Sequence, residues 1–246
     1  MNTLPTLVMI PCFSGVPWRL EQLTSLQDFS KRTFRLPDDL DSLERLADFV
    51  TDQVEDLQSY VLVGDSFGAV IAIAMATRQP RGLVGLVLSG GFAKNPITSP
   101  TLKALAALAP YFPGPFYRQL TLRVHAANLG SKFDAEGEIS WSTAQTQTLF
   151  ALETSHRAYV NRVHAVEVSD YIAQLPFIDV PTLILTPKDD RLIGKDAAEV
   201  LLRGIADSTE VVLPRTGHMF RFSHPDAYSV RIREFLRARF TRSTSV

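Results

Sequence analysis

Gly64-Asp65-Ser66-Phe67-Gly68 fits the pattern G-x-S-x-G. In a chain with this much glycine and serine, such a match arises by chance often enough that its setting must decide its meaning. Tyr60-Val61-Leu62-Val63 before it is apolar and rich in β-branched residues, and small and apolar residues run on from Phe67 to about Arg78, until Pro80. That order reads as strand, sharp turn, helix. A serine on the turn would present its hydroxyl at a helix N-terminus, where free N–H groups can stabilise an oxyanion. The competing reading is an ordinary turn closed by a capping serine.

A hydroxyl is a weak nucleophile, so it needs a general base, and the base needs a carboxylate to fix its tautomer. His218 follows Gly217 just after the apolar run Val211-Val212-Leu213, and Asp189 and Asp190 follow Thr182-Leu183-Ile184-Leu185-Thr186. Both lie where strands should end. The remaining histidines are isolated. His125, His156 and His164 fall in a central segment from which they could touch a substrate, but their spacing is not that of metal ligands. Cys12 is the one cysteine and reads as a small buried hydrophobe.

The elements that must position these groups follow from periodicity. Leu7-Val8-Met9-Ile10 is a continuous apolar run stopped by Pro11, as expected of a strand covered on both faces. Residues 29–36 make a poorer strand, broken by charge. Asp41 and Glu44 open a capping-box-like helix start, with Leu43, Leu46, Ala47, Val50, Val54 and Leu57 on one stripe. Residues 83–88 are a buried strand ending in Ser89-Gly90-Gly91; 195–204 read as a helix, 210–213 as the last strand and 225–239 as a closing helix. Between 94 and 176 strand signals fade, prolines cluster, and stretches such as 143–160 are helical, which reads as a lid inserted in a single domain spanning 1–246. Alternating strands and helices imply a mostly parallel, doubly wound sheet with its ligand crevice at the carboxyl ends of the strands.

Composition narrows the partners. Hydrophobic residues are 46% and charged residues 21% of 246, and the formal net charge is −1. No apolar run reaches the roughly 20 residues of a spanning helix, and the near-neutral balance argues against a nucleic-acid or acidic-membrane surface. Small molecules are the expected partners. The single cysteine and an N-terminus without a secretory signal's pattern suit the cytoplasm, while nothing in the sequence sets the oligomeric state.

With these residues in hand, the sequence resembles the α/β-hydrolase superfamily over nearly its whole length, in particular its lid-bearing esterases, thioesterases, acyltransferases and carbon-carbon bond hydrolases. The stretch from Val180 to Arg191 is similar to the family's acid-bearing strand and loop, where the second of two adjacent acids is the one used; this points to Asp190. Gly217-His218 followed by His224-Pro225-Asp226 resembles its histidine loop and last helix start. The resemblance implies a catalytic set of Ser66, Asp190 and His218, and an oxyanion hole from the backbone N–H groups of Phe67 and Phe13. Where the family commonly has His-Gly this chain has Pro11-Cys12, which keeps Ser14 as an alternative donor. The fold implied is an α/β-hydrolase sheet of about six strands, lacking the family's first two. Trp18, Phe112, Phe116 and Trp141 are candidates for an apolar pocket above Ser66. The implied reaction is hydrolysis of a carboxylic ester or thioester with no metal or organic cofactor. Carbon-carbon bond hydrolysis, acyl transfer and a receptor role stand as alternatives on the same residues.

Overall fold

In the computed structural model, which describes residues 4–20, 23–97, 99–111 and 115–241, the apolar runs become the strands of one parallel sheet. They are β1 (Thr6–Ile10), β2 (Lys31–Thr33), β3 (Tyr60–Asp65), β4 (Leu83–Ser89), β5 (Thr182–Pro187) and β6 (Ser208–Leu213). Their spatial order is β2-β1-β3-β4-β5-β6, every neighbouring pair parallel. This is the expected six-stranded α/β sheet. Within 29–36 only three residues pair, at the sheet edge, because Phe29 and Phe34 instead fill the core on opposite faces.

Alternation along the strands sorts side chains to two faces. Val8, Ile10, Leu62, Leu86, Leu88 and Ile184 pack under α1 (Leu43–Asp52), α2 (Phe67–Ala76) and α7 (Lys195–Gly204). Leu7, Met9, Val61, Val63, Val87, Leu183 and Leu185 pack against Tyr228, Ile232 and Leu236 of α9 (Pro225–Phe240). All ten residues of α2 are buried, which is why its composition showed no amphipathic stripe. The N-cap of α1 is Ser42, whose Oγ accepts from the N–H of Arg45 at 3.3 Å, one residue beyond the expected Asp41.

The strand-poor stretch between β4 and β5 is helical, with α3 (Pro100–Leu108), α4 (Pro115–Leu129), α5 (Thr143–Glu153) and α6 (His156–Glu167). Ser142 and Gln145 form a reciprocal capping box at the start of α5, and Ser155 caps α6. The stretch is pinned where it leaves and rejoins the sheet by a bridge between Lys94 and Asp170. A short α8 (Phe220–Ser223) precedes α9.

Candidate active site

The sheet's strand order reverses between β1 and β3, since the chain runs outward from β1 to β2 and then crosses back. Loops at such a reversal splay apart and leave a crevice. Here they are the turn after β1, holding Cys12 to Gly15, and the turn from β3 into α2, holding Ser66.

Ser66 has φ 55° and ψ −113°, a conformation costing a non-glycine residue roughly 1–3 kcal/mol. The flanking glycines are required by space. A Cβ on Gly68 would stand 2.6 Å from the carbonyl oxygens of both Ile10 and Pro11, and one on Gly64 would stand 2.6 Å from the Ala69 Cα. Only without those carbons can α2 start tight against β1 and β3. The Ser66 N–H donates to the Ser89 carbonyl at 2.8 Å, holding the turn against the end of β4.

From Ser66 a chain of hydrogen bonds runs across the strand ends. Its Oγ lies 2.8 Å from His218 Nε2, and His218 Nδ1 lies 2.6 Å from Asp190 Oδ2. The other Asp190 oxygen accepts from the N–H groups of Leu192 at 2.8 Å and Ile193 at 3.0 Å. The side chains of His218 and Asp190 are 4% and 5% exposed, so their coupling is little screened. Burial is the largest single influence on Asp190 and favours its neutral form; the His218 charge, its hydrogen bond and the two N–H groups outweigh it and hold the carboxyl below its ordinary value. For His218, too, burial is the largest influence and works against the charge. The Asp190 charge and hydrogen bond, with Asp65 and Asp134 further off, overcome it and raise the imidazole. Such an arrangement can take a proton from a hydroxyl and hold it as an imidazolium. Asp189, by contrast, is exposed, and only its backbone takes part, donating to the Thr216 carbonyl at 2.9 Å.

Phe67 and Phe13, the expected oxyanion donors, both line the cavity beside Ser66. Phe67 is the first residue of α2, so its N–H has no partner within the helix. Phe13 lines the cavity beside Ser66, while Ser14 is buried and lies 3.6 Å from Cys12 Sγ. Above them is a cavity of about 100 Å³, walled by Phe13, Phe92, Ile97, Leu102, Val124, Val163, Val166, Leu192 and Ile193, with Ser66 at its floor. His125 of α4 also lines it, its ring 5.1 Å from that of Phe13 and 5.2 Å from that of Phe150. Burial, with the nearby His218 adding, pushes this imidazole down to about 4.

Two expected pocket residues lie elsewhere. Trp18 is under the sheet, its indole N–H donating to the Ile10 carbonyl at 2.9 Å beside Tyr228. Trp141 stacks behind Phe222 at 4.9 Å and donates to Thr146 Oγ1 at 2.8 Å. Each large ring with a polar edge found a buried acceptor and serves packing instead. Phe112 and the side chain of Phe116 lie outside the described residues.

Sequence reasoning passed over a buried ion pair next to the hydrogen-bond chain. Arg221 Nε donates to Asp65 Oδ2 at 2.6 Å, and the guanidinium sits 4.2 Å from the Trp18 ring and 4.1 Å from the Phe222 ring. Its signal was available, since a charged residue inside a glycine-flanked turn after a buried strand requires a partner. Among the described residues no group of three His, Cys, Asp or Glu could hold a metal ion, and no helix is long and apolar enough to cross a membrane.

Residues 7–230 match a model of the alpha/beta hydrolase family. The chain is 26% identical over 190 residues to a 2-hydroxy-6-oxononadienedioate/2-hydroxy-6-oxononatrienedioate hydrolase of Pseudomonas putida, an alignment covering 73% of this chain and 63% of that one. A crystal structure of a hydrolase from Pseudomonas aeruginosa superposes with a TM-score of 0.80 at 19% identity, over 95% of this chain and 90% of that one. A thermophilic esterase from Thermogutta terrifontis superposes at 0.77 with 21% identity, over 98% and 92%.

Proposed function

The chain belongs to the alpha/beta hydrolase family, and from that premise we propose that it is a serine hydrolase cleaving a carboxylic ester or thioester of a small, largely apolar acyl group. The observation that carries this reading is the hydrogen-bonded series Ser66, His218, Asp190 opening onto an apolar cavity.

In the proposed cycle Ser66 Oγ attacks the substrate carbonyl carbon as its proton passes to His218 Nε2. The carbonyl electrons move to an oxyanion held by the N–H groups of Phe67 and Phe13. Collapse breaks the bond to the leaving alkoxide or thiolate, which takes the proton from His218 and departs, leaving an acyl-Ser66. Water then gives a proton to His218 and attacks the acyl carbon; the second collapse frees the acid and returns the proton to Ser66. Asp190 keeps Nδ1 protonated and stabilises each imidazolium. No metal or organic cofactor has a part in these steps. Residues 94–176 serve as the lid that walls the acyl pocket. A cytoplasmic setting accords with the single, buried Cys12.

The volume sets the acyl length. Set against a cavity of about 150 Å³ that holds the six carbons of benzene, a cavity of about 100 Å³ takes about four to five heavy atoms, a short acyl chain. Carbon-carbon bond hydrolysis is the second reading, favoured by the likeness to the Pseudomonas putida enzyme.

Initial rates on p-nitrophenyl esters from acetate to dodecanoate, for the wild type and Ser66→Ala, test the first reading. The expected result is turnover with a maximum between acetate and hexanoate and a loss of roughly 10⁴-fold or more in Ser66→Ala. A wild type inert on every ester but active on a vinylogous diketone would favour the second reading. Equal rates for both proteins would remove Ser66 from the mechanism.

A further inference from the structure

Arg162 of α6 has no part in the hydrogen-bond chain, yet its side chain is 1% exposed and lies against the loop that follows β1. Burying a guanidinium is costly unless its donors are met, and the donors here are divided between that loop and the segment that follows β2. Nη1 donates to the Phe13 carbonyl at 2.9 Å; Nη2 donates to the Leu36 carbonyl at 3.3 Å and to Asp38 Oδ1 at 3.3 Å. Nε has no partner among the described residues. The loop is closed round the guanidinium. Gly15 has φ 74°, and a Cβ there would stand 2.6 Å from Arg162 Cζ and 2.7 Å from Nη1.

We propose that Arg162 is a positioning residue for the oxyanion loop, fixing the Phe13 peptide so that its N–H is held toward the reacting carbonyl. This rests on the reading of Phe13 as an oxyanion donor. The argument is one of peptide geometry. The Cys12 carbonyl accepts from the Gly15 N–H at 2.9 Å, and in a trans peptide the N–H of the next residue points the opposite way, so the Phe13 N–H is directed away from the Gly15 side of the turn. A turn closed in this way restricts Phe13 but still admits two orientations of the peptide between Phe13 and Ser14. Anchoring the Phe13 carbonyl removes the remaining freedom, and the Gly15 carbonyl, accepting from the Leu36 N–H at 2.8 Å, fixes the turn's far end. The same helix contributes Tyr159, Val163 and Val166 to the cavity wall. A substrate that seats α6 therefore seats the donor, coupling acyl binding to stabilisation of the oxyanion.

Arg162→Lys and Arg162→Met, assayed on p-nitrophenyl butanoate beside the wild type, test this. A positioning role predicts kcat lowered about 10- to 100-fold in Arg162→Met, KM changed less than about 3-fold, and Arg162→Lys between the two. Lysine keeps the charge but loses the planar fork. An alkyl trifluoromethyl ketone, to whose carbonyl carbon Ser66 Oγ adds while its proton moves to His218, should lose affinity in proportion to kcat/KM. Binding of the corresponding carboxylate product should not change. A variant that melts lower but keeps kcat and ketone affinity would overturn the proposal, as would failure of both variants to fold, which would make Arg162 a structural staple. Labelling of wild-type Ser66 by a fluorophosphonate separates the cases: without it the hydrolase reading fails, whereas labelled wild type with unaffected variants sinks the positioning role alone.

Discussion

At the scale of single residues the site is a set of shifted equilibria. In the proposed cycle His218 must be neutral to accept the proton from Ser66, and its partners raise it above the ordinary histidine value. A group raised in this way is protonated, and useless as a base, over a wider acid range. The expected kcat/KM profile therefore falls on the acid side with a midpoint above the unperturbed value of about 6.5. Asp190→Asn removes the charge responsible, so the His218 titration followed by NMR should move down while kcat drops on the order of 10⁴-fold. A midpoint below that of free histidine, or one unmoved in Asp190→Asn, would mean that Asp190 does not govern the base. These residues were legible in the sequence because each sits directly after an apolar run that could only be a strand. Choosing Asp190 over Asp189 needed the resemblance, since adjacent acids in a loop have no periodicity to separate them.

At the scale of elements, the sheet and its covering helices were legible, whereas the uses of the large aromatic and charged residues between them were not. Trp18 and Trp141 read as pocket walls because a tryptophan's size suits a pocket and a core equally; only the buried acceptors Ile10 O and Thr146 Oγ1 decide between them. Arg162 was unreadable for another reason: Phe13 and Leu36, 149 and 126 positions away, meet it through backbone carbonyls, which leave no trace in side-chain type, and nothing in the sequence singles out Asp38, 124 positions away, as its carboxylate. The Asp65–Arg221 pair joins the end of β3 to α8, with both residues 5% exposed. Removing one partner strands the other charge. Arg221→Met should cost about 3–5 kcal/mol in denaturant unfolding, and Asp65→Leu combined with Arg221→Met should recover most of it. If the two losses simply add, the pair is not coupled and Arg221 acts through its stacking on Trp18 and Phe222 alone.

At the scale of the whole molecule, the sheet is one layer and the helices between β4 and β5 another, and His125 sits in the contact between them, enclosed by Phe13, Phe150 and Tyr159. Nothing in the sequence separated it from His156 or His164. Its environment links protonation to folding. The imidazole is pushed down to about 4 in the folded chain, against about 6.5 unfolded, so between those values the unfolded chain binds more protons and stability falls as pH falls. Asp190 works in the same sense only nearer its own, lower range, and His218, being raised, works in the opposite sense. The contribution of His125 is isolated by comparison with His125→Phe, which keeps an aromatic ring among aromatic rings and has no proton to gain. From pH 7 to pH 5 the wild type should lose about 1–2 kcal/mol more than the variant in urea unfolding, a value discounted for the side of the imidazole open to the cavity. Equal losses would mean that His125 binds its proton equally well in the folded and unfolded chain, and that its enclosure between the two layers does not govern its protonation.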